Sequence, residues 1–134
     1  MTITVVVPGC PSPKLRPNQG ASKLYKSGDA AQHRGDAKYA AIAILHDLSV
    51  DLPLFTGPVA VEAHVCWAKY RQVHDLDAVA IMCKPFLDGL TDAEVWKDDR
   101  QMERYTVTQE PFRTSKTTGQ VILTVEAIEK GRTA

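Results

Sequence analysis

The sequence lacks an excess of charge of either sign, a paired-cysteine motif and any long apolar run. Its 134 residues include 16 Lys and Arg against 16 Asp and Glu, so the formal net charge is zero, whereas a protein that simply coats DNA is markedly basic. The three cysteines contain no Cys-x-x-Cys pair and fit reduced thiols better than a disulfide framework or a zinc site. No apolar run approaches the ~20 residues of a membrane-spanning helix, and no signal peptide is recognisable. These absences predict a soluble cytoplasmic protein.

The residues that are present favour a globular protein with one domain. Hydrophobic residues make up 44% and charged residues 24% of the chain, which is the composition of a folded domain rather than of a disordered one. The length suits a single domain over residues 1–134, and no linker or internal repeat divides it.

Hydrophobic periodicity predicts six elements in the order β-α-β-α-β-β. The predicted strands occupy 2–7, 58–67, 102–108 and 120–128, and the predicted helices occupy 29–48 and 77–90. We therefore expect an α+β fold, with a mixed sheet of about four strands and two helices. The last two strands are expected to pair as a hairpin with a long loop.

The first predicted helix has a start signal and an apolar face. Asp29 is a plausible cap, and an apolar stripe follows at helical spacing, formed by Ala37, Ala41, Ile44 and Leu48. Cys66 and Cys83 are expected to act as small core hydrophobes.

The second predicted strand has two different faces. Alternate residues from Val59 to Trp67 are apolar, while Glu62 and His64 point the other way. His33, His46 and His64 show no metal-ligand spacing, so zinc is not expected. Glu62 and His64 are interpreted as surface residues, or as residues that orient the metal ligands if this strand lies beside Asp75.

Charge is distributed unevenly along the chain. Residues 74–99 include seven acidic and two basic side chains, a net charge of −5, and residues 14–38 include six basic and two acidic ones, a net charge of +4. The zero total is therefore the sum of a basic portion and an acidic centre. The predicted loop at 9–28 is long for a structureless connection, which favours a functional role.

Two pairs of carboxylates lie within the acidic centre. Asp75 and Asp77 are two residues apart, and an extended backbone would send both side chains to one side. Asp98 and Asp99 precede a predicted strand. Carboxylates that converge from separate elements form a site for Mg²⁺ or Mn²⁺, which can activate a water. The structural alternative is that Asp77 caps a helix and that Asp98 and Asp99 form a turn. Spacing alone leaves both interpretations open.

A longer motif surrounds these carboxylates. Residues 74–101 read HDLDAVAIMCKPFLDGLTDAEVWKDDRQ. This string resembles the RusA family of Holliday junction resolvases, which has an Asp-x-Asp-Asn pair, a Lys four residues before Asp-Ala-Leu, and an Asp-Asp-x-Gln. Here Lys84 precedes Asp88-Gly-Leu by four residues, and Asp98-Asp99-Arg-Gln101 matches the last motif. Trp96 stands where an aromatic residue is common. In order of elements, the resemblance covers essentially the whole chain.

The resemblance implies a Mg²⁺-dependent, structure-selective endodeoxyribonuclease (Mn²⁺ is possible) that resolves Holliday junctions by paired phosphodiester hydrolysis in recombination and repair. Asp75, Asp77 and Asp99 would be catalytic metal ligands, and Asp98 would assist or ligate. Lys84 would be the essential basic residue, which neutralises charge on the phosphate or positions the water. A four-way junction needs two symmetric incisions, so a homodimer is implied. The implied compartment is the cytoplasm of a bacterium or of a phage-infected host.

Two departures from the family pattern bear on activity. Ala78 stands where the family has Asn, and about three extra residues separate Asp77 from Lys84. On a helix the longer spacing nearly preserves the face but moves Lys84 ~4.5 Å along the axis, and Pro85 would disrupt a mid-helix position. The alternative function is a branched-DNA-binding protein with weak or lost cleavage. A third is a hydrolase of smaller phosphate esters, or a nuclease for other branched forms.

Basic residues on predicted loops flank the acidic centre. On the DNA interpretation they hold the phosphate backbone and recognise shape rather than sequence; otherwise they are ordinary solvated charges. Trp96 is predicted to pack beneath the loop of Asp98 and Asp99. The candidate DNA-binding residues are Lys14, Arg16, Lys23, Lys26, Lys69, Arg71, Lys97 and Arg100.

Overall fold

Seven regular elements and two short 3-10 turns make up the computed structural model, which describes residues 1–15, 23–68, 74–110 and 118–129, without the side chains of 23–27. The strands are β1 (Thr2–Pro8), β2 (Val59–Cys66), β3 (Met102–Glu110) and β4 (Gln120–Ala127), the helices are α1 (Lys23–Leu48), α2 (Leu76–Met82) and α3 (Lys84–Asp92), and the 3-10 turns are Pro13–Leu15 and Asp99–Gln101. The α+β class is thus confirmed. No helix in these ranges combines the length and apolarity needed to span a membrane.

The four strands form one mixed sheet in the order β1-β4-β2-β3. β3 runs parallel to β2, and β4 runs antiparallel to both β1 and β2. The predicted hairpin between the last two strands is therefore wrong, because β4 lies between β1 and β2. In this order β4 is paired on both edges and its alternate residues are fully buried, whereas β3 lies at an edge and has no fully buried residue.

One face of the sheet forms the core with the helices. Val5, Ala63 and Leu123 are opposite one another on β1, β2 and β4, and all three are fully buried. The predicted alternation along β2 is confirmed. Glu62 is exposed and His64 is half-buried on the opposite face.

Helix α1 begins six residues earlier than predicted. Lys23, not a residue after Asp29, is its first residue, so residues 23–28 were wrongly expected to be loop. Asp29 is not a cap, because it lies inside α1; its Oδ2 accepts a hydrogen bond of 2.5 Å from the Ser12 hydroxyl. Ala37 is buried as predicted, but Leu48 is exposed, since residues 46–49 all lie outside the core.

The segment predicted as one helix over 77–90 is two helices that meet at Cys83. Proline in a helix interior removes a hydrogen bond and clashes with the preceding turn, but the first turn tolerates it. Pro85 lies in the first turn of α3. One helix therefore ends and another begins between Asp77 and Lys84.

The contact between α2 and β3 buries a thiol and a phenol. Tyr105 donates a hydrogen bond of 3.1 Å from its hydroxyl to the Ala80 carbonyl. Burial raises the pKa of the Cys83 thiol to about 12 and also raises the pKa of Tyr105. Cys83 is a core residue as predicted. Cys66 is not, because it is only partly buried and lies on the other face of the sheet.

An ion pair joins α1 to α3. The Arg34 guanidinium contacts both carboxylate oxygens of Asp92, with Nε 2.5 Å from Oδ2 and Nη2 2.8 Å from Oδ1. This two-point contact lowers the pKa of Asp92, chiefly through the hydrogen bonds from Arg34. The carboxylate is therefore favoured in the folded state.

We expect the Asp92→Asn variant to lose less stability than the wild type when the pH falls from 7 to 3. The pKa of Asp92 is lower in the folded state than in the unfolded state. Its contribution to the free energy of unfolding is therefore present above the unfolded-state pKa and is lost as the pH falls through the folded-state pKa. The pair is largely exposed, so its contribution is at most about 1 kcal/mol. Urea unfolding at pH 7 and pH 3 measures the effect. Asp51→Asn, at an exposed loop carboxylate, is the control. If Asp92→Asn and the wild type lost the same amount of stability between pH 7 and pH 3, the prediction would be contradicted.

Candidate functional site

Lys84, the first residue of α3, joins two parts of the acidic centre. Its Nζ donates to Asp88 Oδ1 at 2.8 Å and to Asp99 Oδ2 at 3.2 Å. Asp88 is one helical turn away, whereas Asp99 comes from the 3-10 turn before β3 and is 15 positions distant in the chain. The hydrogen bonds that Lys84 donates to Asp88, and then to Asp99, raise the pKa of Lys84. At neutral pH this side chain is an ammonium between two carboxylates.

Asp98 has a structural role in the turn that positions Asp99. Its Oδ1 accepts from the Arg100 backbone N–H at 2.9 Å, and its Oδ2 accepts from Arg100 Nη2 at 2.7 Å. These contacts with Arg100 lower the pKa of Asp98. Asp98 is thus the N-cap of the 3-10 turn, as the structural interpretation of this pair predicts.

Gln101 fixes the same turn from the other side. Its side-chain oxygen accepts from the backbone N–H groups of Lys97, at 3.0 Å, and Asp98, at 3.1 Å. Its amide nitrogen donates to the carbonyls of Phe55, at 3.0 Å, and Gly57, at 2.9 Å. The sequence reasoning gave Gln101 no structural role, although Asp-x-x-Gln is the pattern of a capping box.

Trp96 is completely buried next to this turn. Its indole Nε1 donates to the Thr91 hydroxyl at 2.6 Å, and its backbone forms a bridge with Phe55. The prediction that Trp96 has a packing role is confirmed. Asp99 is therefore held on a turn that is fastened by its cap, by Gln101 and by a packed indole.

Asp75 and Asp77 are exposed at the start of α2. Asp75 occupies the N-cap position, but its side chain makes no capping hydrogen bond. Asp77 lies in the first helical turn, not in an extended segment, and its Oδ1 accepts from the Ala78 N–H at 3.0 Å. The expected alternation of the two side chains therefore does not apply, since the helix begins at Leu76.

The two carboxylate pairs are anchored at different ends of β3. Gln109, near the end of this strand, donates from Nε2 to the His74 carbonyl at 2.6 Å, which fixes the residue before Asp75. Asp99 lies just before the start of β3. Within the described residues, the four aspartates do not supply three ligand oxygens within 4.8 Å of one another.

The chemical type of the candidate ligands fits Mg²⁺, but their arrangement fits it less well. All the candidate ligands are carboxylates, and Mg²⁺ is usually held by one or two carboxylates together with waters and substrate phosphates. Asp75 with Asp77, and Asp99 with Asp88, can each supply such a partial ligand set. Asp98 is the least suited to hold a cation, because both of its carboxylate oxygens already accept hydrogen bonds from Arg100, whereas Lys84 contacts one oxygen each of Asp88 and Asp99.

No protein-family model matches the chain, and no curated protein sequence matches it significantly. The resemblance of residues 74–101 to the RusA family therefore rests on those residues themselves.

The candidate DNA-binding residues fall partly outside the described structure. Arg16, Lys69 and Arg71 lie outside the described residues, as do the side chains of Lys23 and Lys26. Of the remaining three, Lys14 is in the first 3-10 turn, and Lys97 is exposed just before Asp98. Arg100 is exposed but contacts Asp98. Lys97 thus lies just before the turn that holds Asp99, and Arg100 lies within it.

Proposed function

We propose that the chain is a Mg²⁺-dependent endodeoxyribonuclease that cleaves branched DNA, with the four-way junction as its substrate in recombination or repair. One observation supports this most strongly: Lys84 and Asp99, two residues selected by the resemblance, are in direct contact at 3.2 Å. They come from separate elements of the acidic centre. An exposed ammonium beside partly buried carboxylates is suited to a phosphodiester that is held together with a cation.

In this proposal the protein residues bind and orient the substrate. The Lys84 ammonium exchanges one carboxylate partner for a non-bridging phosphate oxygen and offsets the charge that develops there. Lys97 and Arg100 hold the neighbouring backbone phosphates through charge. Asp75 with Asp77 near one end of β3, and Asp99 near the other, are the proposed carboxylate ligands of Mg²⁺ or Mn²⁺, as two partial sets completed by waters and phosphate oxygens. The bound ion would supply an activated water. The products carry a 3′-hydroxyl and a 5′-phosphate.

The symmetry of the proposed substrate requires two sites. A four-way junction has two-fold symmetry and needs two matched incisions, whereas one chain has one set of these residues. We therefore include a two-fold homodimer in the proposal. The proposed setting is the cytoplasm of a bacterium or of a phage-infected host, where such junctions form.

A second candidate is a branched-DNA-binding protein with little or no cleavage. It is favoured by the separation of the carboxylates, since Asp75 and Asp99 are anchored at different ends of β3. It is also favoured by Ala78, which replaces the family's asparagine.

Cleavage of a synthetic four-way junction tests the proposal. We expect symmetric cuts that require Mg²⁺ and are abolished by EDTA, and we expect Asp77→Asn and Asp99→Asn each to lower the cleavage rate about a hundredfold, the scale of losing one catalytic electrostatic partner. Glu94→Gln is the matched control, because Glu94 is an exposed carboxylate of the same acidic segment. Circular dichroism checks that each variant is folded.

The outcomes separate the candidates. Junction binding without cuts, in the presence of Mg²⁺ or Mn²⁺, supports the binding protein and contradicts the nuclease. Equal cleavage of a linear duplex of the same sequence contradicts junction selectivity. Cuts that persist unchanged in both aspartate variants would show that these residues are not the catalytic ones.

A further inference from the structure

Three side chains of types that can ligate metals lie together at one end of the sheet, on the face opposite the core. His64 and Cys66 are alternate residues of β2, so they point to the same side. Glu110 is on β3, directly opposite Cys66 in the parallel register. One ligand atom from each of the three lies within 4.8 Å of the other two, and all three residues are partly buried. In the part of the chain that the structure describes, they are the sole group of this kind.

The spacing of these atoms is close to that of a tetrahedral zinc site. With ordinary Zn–N, Zn–O and Zn–S distances, two ligand atoms in such a site are about 3.3 to 3.6 Å apart. His64 Nε2 and Glu110 Oε1 are already 3.4 Å apart. Both residues are on paired strands, which hold their backbones rigidly. The Cys66 sulfur lies within 4.8 Å of a ligand atom of each of them.

A neighbouring hydroxyl orients the histidine. His64 Nδ1 lies 2.6 Å from Thr108 Oγ1, on the strand position opposite it. When Nδ1 donates its hydrogen to this hydroxyl, Nε2 carries the lone pair on the side of Glu110. A metal-bound histidine is commonly held through its other ring nitrogen in this way, which fixes the tautomer and the ring orientation.

The ligand types select among metals. One nitrogen, one sulfur and one oxygen suit zinc, whereas Mg²⁺ and Ca²⁺ prefer oxygen ligands alone. We propose that His64, Cys66 and Glu110 bind Zn²⁺, with a water in the fourth position. On binding, the Cys66 thiol releases its proton to solvent and ligates as the thiolate. This site is separate from the carboxylates of the proposed nuclease and does not depend on that function.

The sequence expectation that zinc is improbable did not take account of this group. It considered the spacing between histidines and between cysteines, and neither reveals a site. Histidine and cysteine at alternate positions of a strand are a weak signal by themselves, and Glu110 follows 44 positions after Cys66. Only the parallel register of β2 and β3 brings the glutamate to the other two residues.

Cobalt and zinc binding to the EDTA-treated full-length chain test the proposal. We expect one Co²⁺ per chain with sulfur-to-metal charge-transfer absorption, displaced by an equimolar amount of Zn²⁺. Cys66→Ser should abolish the charge-transfer band, and His64→Ala and Glu110→Gln should each weaken Zn²⁺ binding at least tenfold in calorimetry. Thr108→Val should weaken it about tenfold, as expected for loss of an orienting hydrogen bond to a ligand.

Controls distinguish this site from other metal contacts. His46→Ala removes an exposed histidine at the end of α1, and Asp99→Asn alters the proposed nuclease site; both should bind Zn²⁺ like the wild type. The metal-free unfolding transition of each variant shows that it is folded. The proposal is overturned if the wild type gives no charge-transfer band with Co²⁺, or if the band survives in Cys66→Ser.

Discussion

Gly89→Ala should destabilise the protein by about 3 kcal/mol, near the upper end of what overpacking a core position costs. Gly89 is a buried residue of α3, where this helix packs against α1. An added Cβ would overlap the Arg34 carbonyl and would lie 2.8 Å from the Ala37 Cβ. The nearest obstacle is backbone, so the two helices themselves would have to move apart. Urea unfolding followed by circular dichroism measures the change.

Gly35→Ala is the matched control for this prediction. Gly35 is also inside a helix, but an added Cβ would meet nothing within 4 Å. Alanine is a better helix former than glycine, so this variant should gain about 0.5 to 1 kcal/mol. Opposite signs for the two substitutions are the expected result. A gain in both variants would show that α1 and α3 are not packed as closely as described.

Trp96→Ala should cost about 3 to 5 kcal/mol, the range for deleting a large buried aromatic side chain. The indole is fully buried and its N–H is satisfied by Thr91. Its removal leaves a cavity beneath the turn that carries Asp99, and it leaves the Thr91 hydroxyl without this partner. Equilibrium unfolding in urea gives the size of the loss.

Trp96→Phe separates the two contributions in this prediction. Phenylalanine retains much of the buried volume but has no N–H to donate, so we expect a loss smaller than that of the alanine variant. Equal losses in the two variants would contradict a cost dominated by the cavity. A near-zero loss for Trp96→Ala would contradict the buried position of the indole.

The elements with strict alternation could be predicted closely from the sequence. The strands predicted at 2–7, 58–67 and 120–128 differ from β1, β2 and β4 by at most one residue at either end. Such strands can be recognised in a sequence because their side chains alternate between a buried and an exposed face. The start of α1 was missed, because the role of Asp29 depends on contacts that only the folded chain supplies. Pro85 indicated a disruption of the second helix, but the sequence did not show that one helix ends and another begins at Cys83.

The pairing of strands was harder to predict than the strands themselves. Adjacent strands in a sequence pair more often than not, which is why a terminal hairpin was expected. The chain instead places β4 between β1 and β2. Nothing local in β3 or β4 specifies this choice; it follows from which strand can bury one face completely while both of its edges are paired.

The candidate site, like the fold, combines contacts between residues that are close in the sequence with contacts between residues that are distant in it. The pattern from Asp98 to Gln101 has a local explanation in the capping box, which the sequence contains in full. The contact of Lys84 with Asp99 needs two elements to meet, and only the family pattern suggested it. The group of His64, Cys66 and Glu110 depends on strand register, which the sequence pattern did not specify.

The central position of β4 constrains how the protein is made. During translation β1 and β2 leave the ribosome long before the strand that must lie between them. Thr2 pairs with Glu126 and Pro8 with Gln120. The first strand therefore cannot pair with β4 until more than a hundred further residues have been synthesised. Contacts of such long sequence separation slow folding, and the nascent chain meanwhile exposes unpaired apolar strands. We therefore expect a chain truncated before residue 120 to aggregate rather than to form part of this sheet.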